Sequence, residues 1–152
     1  MTSSKNSIFK IIAVALLMAG LTGPAIAGSS SEPLKVKATL VWGSKSVPKD
    51  KKLTPVGKDL QAKLQKCLIW EHYFLISRKS MKVGAGKTQT VRMSKKCEVA
   101  VKRLKGDLLN VKLIGEGKVV VNKRHSLANK DFLVMGGPDE NESAWVVVLQ
   151  FD

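Results

Sequence analysis

The stretch "LNVKLIGEGKVVVNKR" (Leu109–Arg124) decides the class of fold. Two short apolar, β-branched runs stand on either side of Gly115-Glu116-Gly117-Lys118, and a glycine-bearing break between such runs is a tight-hairpin signal. The same grammar recurs along the chain. "SMKV" and "TVRM" flank a glycine-rich tip at 84–87, and "FLVMGG" and "AWVVVLQF" flank the turn "PDENES". In "CEVAVKRL", Cys97, Val99 and Val101 share one face of an alternating strand. Further back, "LKVKATLVW" sets Val36, Ala38, Leu40 and Trp42 against Lys35, Lys37 and Thr39, and "EHYFLISRK" is aromatic and β-branched. Strands that follow one another without helices between them pair antiparallel. The expected fold is mainly β: an antiparallel sandwich or barrel-like sheet of about eight short strands, with one amphipathic helix.

That helix is announced by a change of period. Leu53, Val56, Leu60, Leu64, Cys67 and Leu68 recur at spacings of three and four, which gathers them on one helical face. Thr54 offers an N-cap and Pro55 suits a first helical position, so the spacing predicts a helix from Pro55 to Leu68.

The first 27 residues read as an export signal. Lys5 and Lys10 precede the apolar run "FKIIAVALLMAGL", and Ala25-Ile26-Ala27 offers a small-x-small cleavage pattern. The run is about 13 residues, short of the roughly 20 that span a bilayer. Residues 28–33 ("GSSSEP") form a flexible entry segment, and 34–152 are expected to make a single β-rich domain, located in the periplasm or outside the cell. No second apolar segment of spanning length follows.

Two cysteines remain, Cys67 and Cys97. In an oxidising compartment such a pair most simply forms one disulfide, which here would tie the helix to the sheet. With two histidines in the chain, no metal-ligand spacing is recognisable.

Charge is the most pronounced property. Setting aside Lys5 and Lys10, 24 basic residues face 12 acidic ones, a net charge of +12. Only Arg78, Arg92, Arg103 and Arg124 are arginines; the rest are lysines, the more strongly hydrated cation. A solvated surface alone accounts for such a composition. The functional reading is attraction to an acidic envelope polymer or an anionic lipid surface. Lys35, Lys37, Lys102 and Lys123 are the candidates for a polyanion face, beside further cations at Lys95, Lys96, Arg103, Lys105 and Arg124.

Other chemistries fail on their spacing. "KVGAGKTQT" (Lys82–Thr90) ends like a phosphate-binding loop, but Met81 stands where the first glycine belongs and strand chemistry follows. A hairpin tip is the better reading. His72 and His125 have no nucleophile motif near them, so no catalytic residue is assigned. A secreted hydrolase with a triad assembled from distant residues is the alternative function. The acids of "PDENES" lack the spacing of a calcium loop, and the turn also contains a glycosylation-type triplet, Asn141-Glu142-Ser143. Trp42, Trp70, Tyr73 and Trp145 sit within or beside apolar patterns and read as core. The aromatic content of 5% argues against a base-stacking surface, so no specific nucleic-acid binding is expected. No cofactor is expected.

The order Trp42-Gly43, helix, Trp70-x-x-Tyr73, Met93-Ser-Lys-Lys-Cys97, Gly115-Glu-Gly-Lys118 and Ala144-Trp-Val-Val-Val148 resembles small exported bacterial β-proteins of unknown function. The resemblance covers most of the chain after the leader and implies no activity, ligand or catalytic residue. The expected function is that of an exported, non-catalytic binding or assembly module.

Overall fold

A computed structural model describes residues 32–129, 132–139 and 142–152. The segment read as a leader lies outside the described residues, as do Glu140 and Asn141 of the "PDENES" turn.

The chain runs β1 (Leu34–Ser44), β2 (Thr54–Pro55), α1 (Lys58–Gln65), β3 (His72–Val83), β4 (Thr88–Ser94), β5 (Cys97–Arg103), β6 (Leu108–Gly115), β7 (Lys118–Ser126), β8 (Phe132–Asp139) and β9 (Ser143–Phe151). Two antiparallel sheets result, ordered β2-β3-β1-β9-β8 and β4-β5-β6-β7. They do not close into a barrel, so the sandwich is the realised alternative. The first and last strands meet at the centre of the larger sheet, with Val36 opposite Phe151 and Trp42 opposite Trp145.

The layers explain the sequence pattern. Between the sheets lies one core, built from Val36, Ala38, Leu40, Met81, Val83, Val147 and Leu149 on one side and Met93, Val99, Val101, Leu109, Val111 and Leu113 on the other. The opposite face of the larger sheet carries a second cluster, where Val41, Tyr73, Val146 and Val148 receive Leu64 and Val56. The larger sheet is thus buried on both faces over part of its length. Strand β9 therefore reads as an unbroken apolar run, Ala144–Leu149, instead of alternating. The smaller sheet has one dry face and one wet face.

A β-bulge in β3 turns the chain over. Leu40 pairs with Ser77 and Val41 with Leu75, leaving Ile76 as the extra residue. Tyr73 and Leu75 before it face the helix, whereas Met81 and Val83 after it face the sandwich core. Such an insertion re-aims every later side chain of the strand.

The helix is shorter than its periodicity suggests. It spans Lys58–Gln65, and its N-cap is Gly57, without a side-chain cap. Thr54 and Pro55 instead pair with Leu75 and Phe74 as the edge strand β2. An edge tolerates proline because the missing N–H faces outward. Leu64 is wholly buried, with Leu60 and Leu68 packed alongside it, but Cys67 stays exposed.

The turns follow their glycines. At the β6–β7 hairpin, Glu116 and Gly117 have φ of 50° and 79°. Positive φ at both central positions is the type I′ pattern that matches strand twist. Gly136 is required for a different reason. A Cβ there would lie 2.3 Å from the Trp145 carbonyl oxygen and 2.5 Å from a Val146 methyl, so only glycine fits between β8 and β9.

Candidate anion-binding faces

On the smaller sheet, register assigns the outer face residue by residue. Thr88 lies opposite Lys102, Lys102 opposite Asn110, and Asn110 opposite Arg124. One step along, Thr90, Ala100, Lys112 and Asn122 form the next cross-strand row. Directly paired residues share a face, and neighbouring strands lie about 4.8 Å apart. Lys102 and Arg124 therefore flank Asn110 across roughly 10 Å, with Lys112 one row away. These side chains surround a hollow of about 440 Å3, lined by Lys102, Leu104, Asn110, Lys112, Asn122 and Arg124. The acid nearest in register, Glu98, is already engaged: its carboxylate accepts from Arg92 at 2.7 and 2.9 Å. Among the described residues, Lys102, Lys112 and Arg124 have no ion-pair partner.

A second hollow, of about 580 Å3, adjoins the first through Lys102 and Leu104 and continues past Arg103, Lys105 and Asp107 to Ala85 and Gly86. Arg103 is held there by donating to the Glu32 carbonyl at 2.8 Å. The glycine-rich tip closes this end. Lys87 N–H donates to the Gly84 carbonyl at 3.0 Å and Gly86 N–H to the Arg103 carbonyl at 3.1 Å. Those amides are spent within the protein, and strand β4 follows instead of a helix, so the tip is not a phosphate loop. Nor is it the hairpin expected from the sequence: β3 and β4 belong to different sheets and do not pair, so the tip is a corner that carries the chain from one sheet to the other.

The four lysines singled out in the sequence do not share a face. Lys102 points outward from the smaller sheet. Lys123 pairs with inward-facing Val111, so it projects on the other side of that sheet and is exposed because β7 is an edge strand. Lys35 and Lys37 belong to the larger sheet, on the side that carries the helix. There Lys35 lies opposite Lys82, Lys37 opposite Ser80 and Thr39 opposite Arg78. Beside them, Lys37, Arg78, Gln150, Lys58 and Lys63 line a cleft of about 300 Å3 that also contains Asp59. Lys112 was not among the sequence candidates, although the outward position between Val111 and Leu113 was legible from their alternation. Arg78 and Lys82 were hidden by the bulge at Ile76.

The two cysteines are not joined in the structure. Cys67 is exposed beside α1, its thiol near the Lys63 and Leu64 carbonyls at 3.4 and 3.5 Å. Cys97 is buried in the core between the sheets. The larger sheet separates the two environments, which is why periodicity alone could not show them apart. Burial, and then the neighbouring Glu98 carboxylate, push the Cys97 thiol up to about 11, which keeps it protonated and unreactive. It lies against a hollow of about 470 Å3 that Leu40, Val120 and Trp145 line, with the Lys96–Glu116 ion pair at 3.2 Å nearby.

The histidines take structural places. His72 stacks on Phe74 and His125 on Phe151, at 6.5 and 5.3 Å between ring centroids. The buried Nε2 of His125 has no hydrogen-bond partner among the described residues. Tyr73 is buried and the three tryptophans are partly buried, so none of these rings forms an exposed stacking platform. Among the described residues, no group of His, Cys, Asp and Glu side chains could hold a metal ion, and no helix is long and apolar enough to cross a membrane. No known protein family, curated protein or solved structure matches the chain.

Proposed function

We propose that this protein is an exported, non-catalytic binding module for acidic polymers, and that the wet face of the β4–β7 sheet is its principal contact surface. One observation carries the reading: Lys102, Lys112 and Arg124 converge on a single hollow without ion-pair partners among the described residues, while the neighbouring Glu98 is neutralised by Arg92. Cations left unpaired around a concavity focus the field of a protein that is already strongly positive. Asn110 and Asn122 supply amide donors and acceptors between the charges, suited to hydroxyl groups of a polar chain. The surroundings favour an acidic polysaccharide over other polyanions. Among the described residues, no aromatic side chain lines the hollow for bases to stack on. A concave floor also contacts a flexible chain better than it contacts a planar lipid surface.

The test is the salt dependence of binding to an immobilised acidic polysaccharide such as polygalacturonate. Exposed charges are screened over about 8 Å at 0.15 M salt and about 3 Å at 1 M. Affinity should fall at least about tenfold between low and physiological salt, following that screening. Binding that ignores salt, or no binding at low salt, would contradict the reading.

A further inference from the structure

We propose that the protein carries a second anion-binding face on the opposite side of the sandwich, so that one molecule bridges two acidic chains. This rests on the polymer-binding reading above and adds a valence to it. The second face is the part of the larger sheet that α1 leaves uncovered. Lys35 and Lys82 are cross-strand partners there, and Arg78 stands opposite Thr39 two rows further along. All three cations are exposed, as is Lys37 between them. The helix contributes Lys58, Asp59 and Lys63 to the cleft that Lys37 and Arg78 line, and Lys35, Lys37 and Lys82 line an adjoining hollow that also contains Asp152, so cations outnumber acids in both.

The geometry makes this a separate site and not an extension of the first. Lys37 shares its side of β1 with Val41, which packs beneath the helix, while Lys102 points away from the core on the other sheet. The two cation sets thus look in opposite directions, with both sheets and the core between them; stacked sheets are about 10 Å apart. A straight segment of polymer cannot touch both. Two segments can, one on each side, and a protein with two such faces links chains into a network. Linking also needs no conformational change, because both faces are built on paired strands.

The experiment is light scattering from mixtures of the protein with long polygalacturonate, scanned over the mixing ratio, beside binding to the same polymer immobilised on a surface. Bridging gives a scattering maximum at an intermediate ratio that dissolves in excess protein, where each chain is saturated and no second chain is reached. Two triple variants and a control separate the explanations. Lys35→Glu/Lys37→Glu/Lys82→Glu should abolish the maximum while surface binding changes less than about twofold, because the principal face around Lys102 still holds the polymer and losing the weaker of two independent sites removes about a statistical factor of two at most. Lys102→Glu/Lys112→Glu/Arg124→Glu should abolish the maximum and weaken surface binding. The loop control Lys49→Glu/Lys51→Glu/Lys52→Glu, with the same change in net charge, should scatter like the parent.

Scattering that survives reversal of the Lys35 face would overturn the bridging proposal and leave the polymer-binding reading standing. Equal loss in the loop control would also overturn it, since charge neutralisation alone would then explain the scattering. A parent protein that does not bind the immobilised polymer would defeat the underlying reading itself.

Discussion

Lys102 and Lys123 lie on opposite sides of the same sheet: Lys102 pairs with outward-facing Asn110, and Lys123 pairs with inward-facing Val111. Their separation turns a general excess of positive charge into a geometrical question. The cations that line the hollow over Asn110 and Asn122 with Lys102 are Lys112 and Arg124, from two different strands.

The cysteines give a direct chemical readout. In the native protein Cys67 should be alkylated by iodoacetamide, because it is exposed, whereas Cys97 should react only after unfolding. Burial and a thiol raised to about 11 both protect it. Intact mass should correspond to two free thiols. A mass lower by two hydrogens, with neither residue labelled, would show the disulfide that the cysteine count suggests.

Gly136 should not tolerate a side chain. The Cβ of alanine would meet backbone on β9, and overpacking of this kind costs about 1–3 kcal/mol or more. Gly136→Ala should therefore lower the denaturation midpoint markedly, whereas Gly57→Ala, where a Cβ meets nothing within 4 Å, should change it little. Similar midpoints for the two variants would contradict the close approach of β8 and β9.

Docking of α1 depends on Leu64, which is wholly buried. Leu64→Ala should cost about 2–5 kcal/mol, measured by urea unfolding. A cost under about 1 kcal/mol would mean that the helix is not anchored to the sheet as described.

Stability should also fall on mild acidification. Burial, reinforced by Lys123, holds the His125 imidazole below its usual range. The unfolded chain then binds the proton more readily than the folded one. The contribution is complete above the unfolded value near 6.5 and is lost as pH falls from there through the folded value. His125→Phe keeps the ring against Phe151 and should flatten the stability profile between pH 7 and 5. An unchanged slope in that variant would assign the pH dependence to other groups.

Particular residues show what the sequence could reveal. The turns at Gly84–Lys87 and Gly115–Lys118 were legible because glycine at positive φ leaves a compositional mark, seen at Gly86 and Gly117, but only the second closes a hairpin: β3 and β4 enter different sheets, and nothing local to the first turn encodes that change of sheet. Antiparallel pairing followed from local turns. The bulge at Ile76 left no mark, since one extra residue in an apolar strand changes no composition, yet it moves Arg78 and Lys82 onto the helix side. The helix was over-extended because Leu53 and Val56 keep its period, although the chain uses Thr54 and Pro55 to pair with β3. The candidate faces were the least legible part, because a face is made by strands from distant positions whose order no local pattern encodes.

The central claim is that specific faces, and not a diffuse cloud of charge, hold the polymer. It is tested most directly by comparing the affinity for polygalacturonate of the Lys102→Glu/Lys112→Glu/Arg124→Glu variant with that of the Lys49→Glu/Lys51→Glu/Lys52→Glu variant, at one salt concentration. Both carry the same net charge. The account predicts at least about a tenfold loss for the first, some 1.4 kcal/mol, and less than about twofold for the second. Equal losses would contradict it.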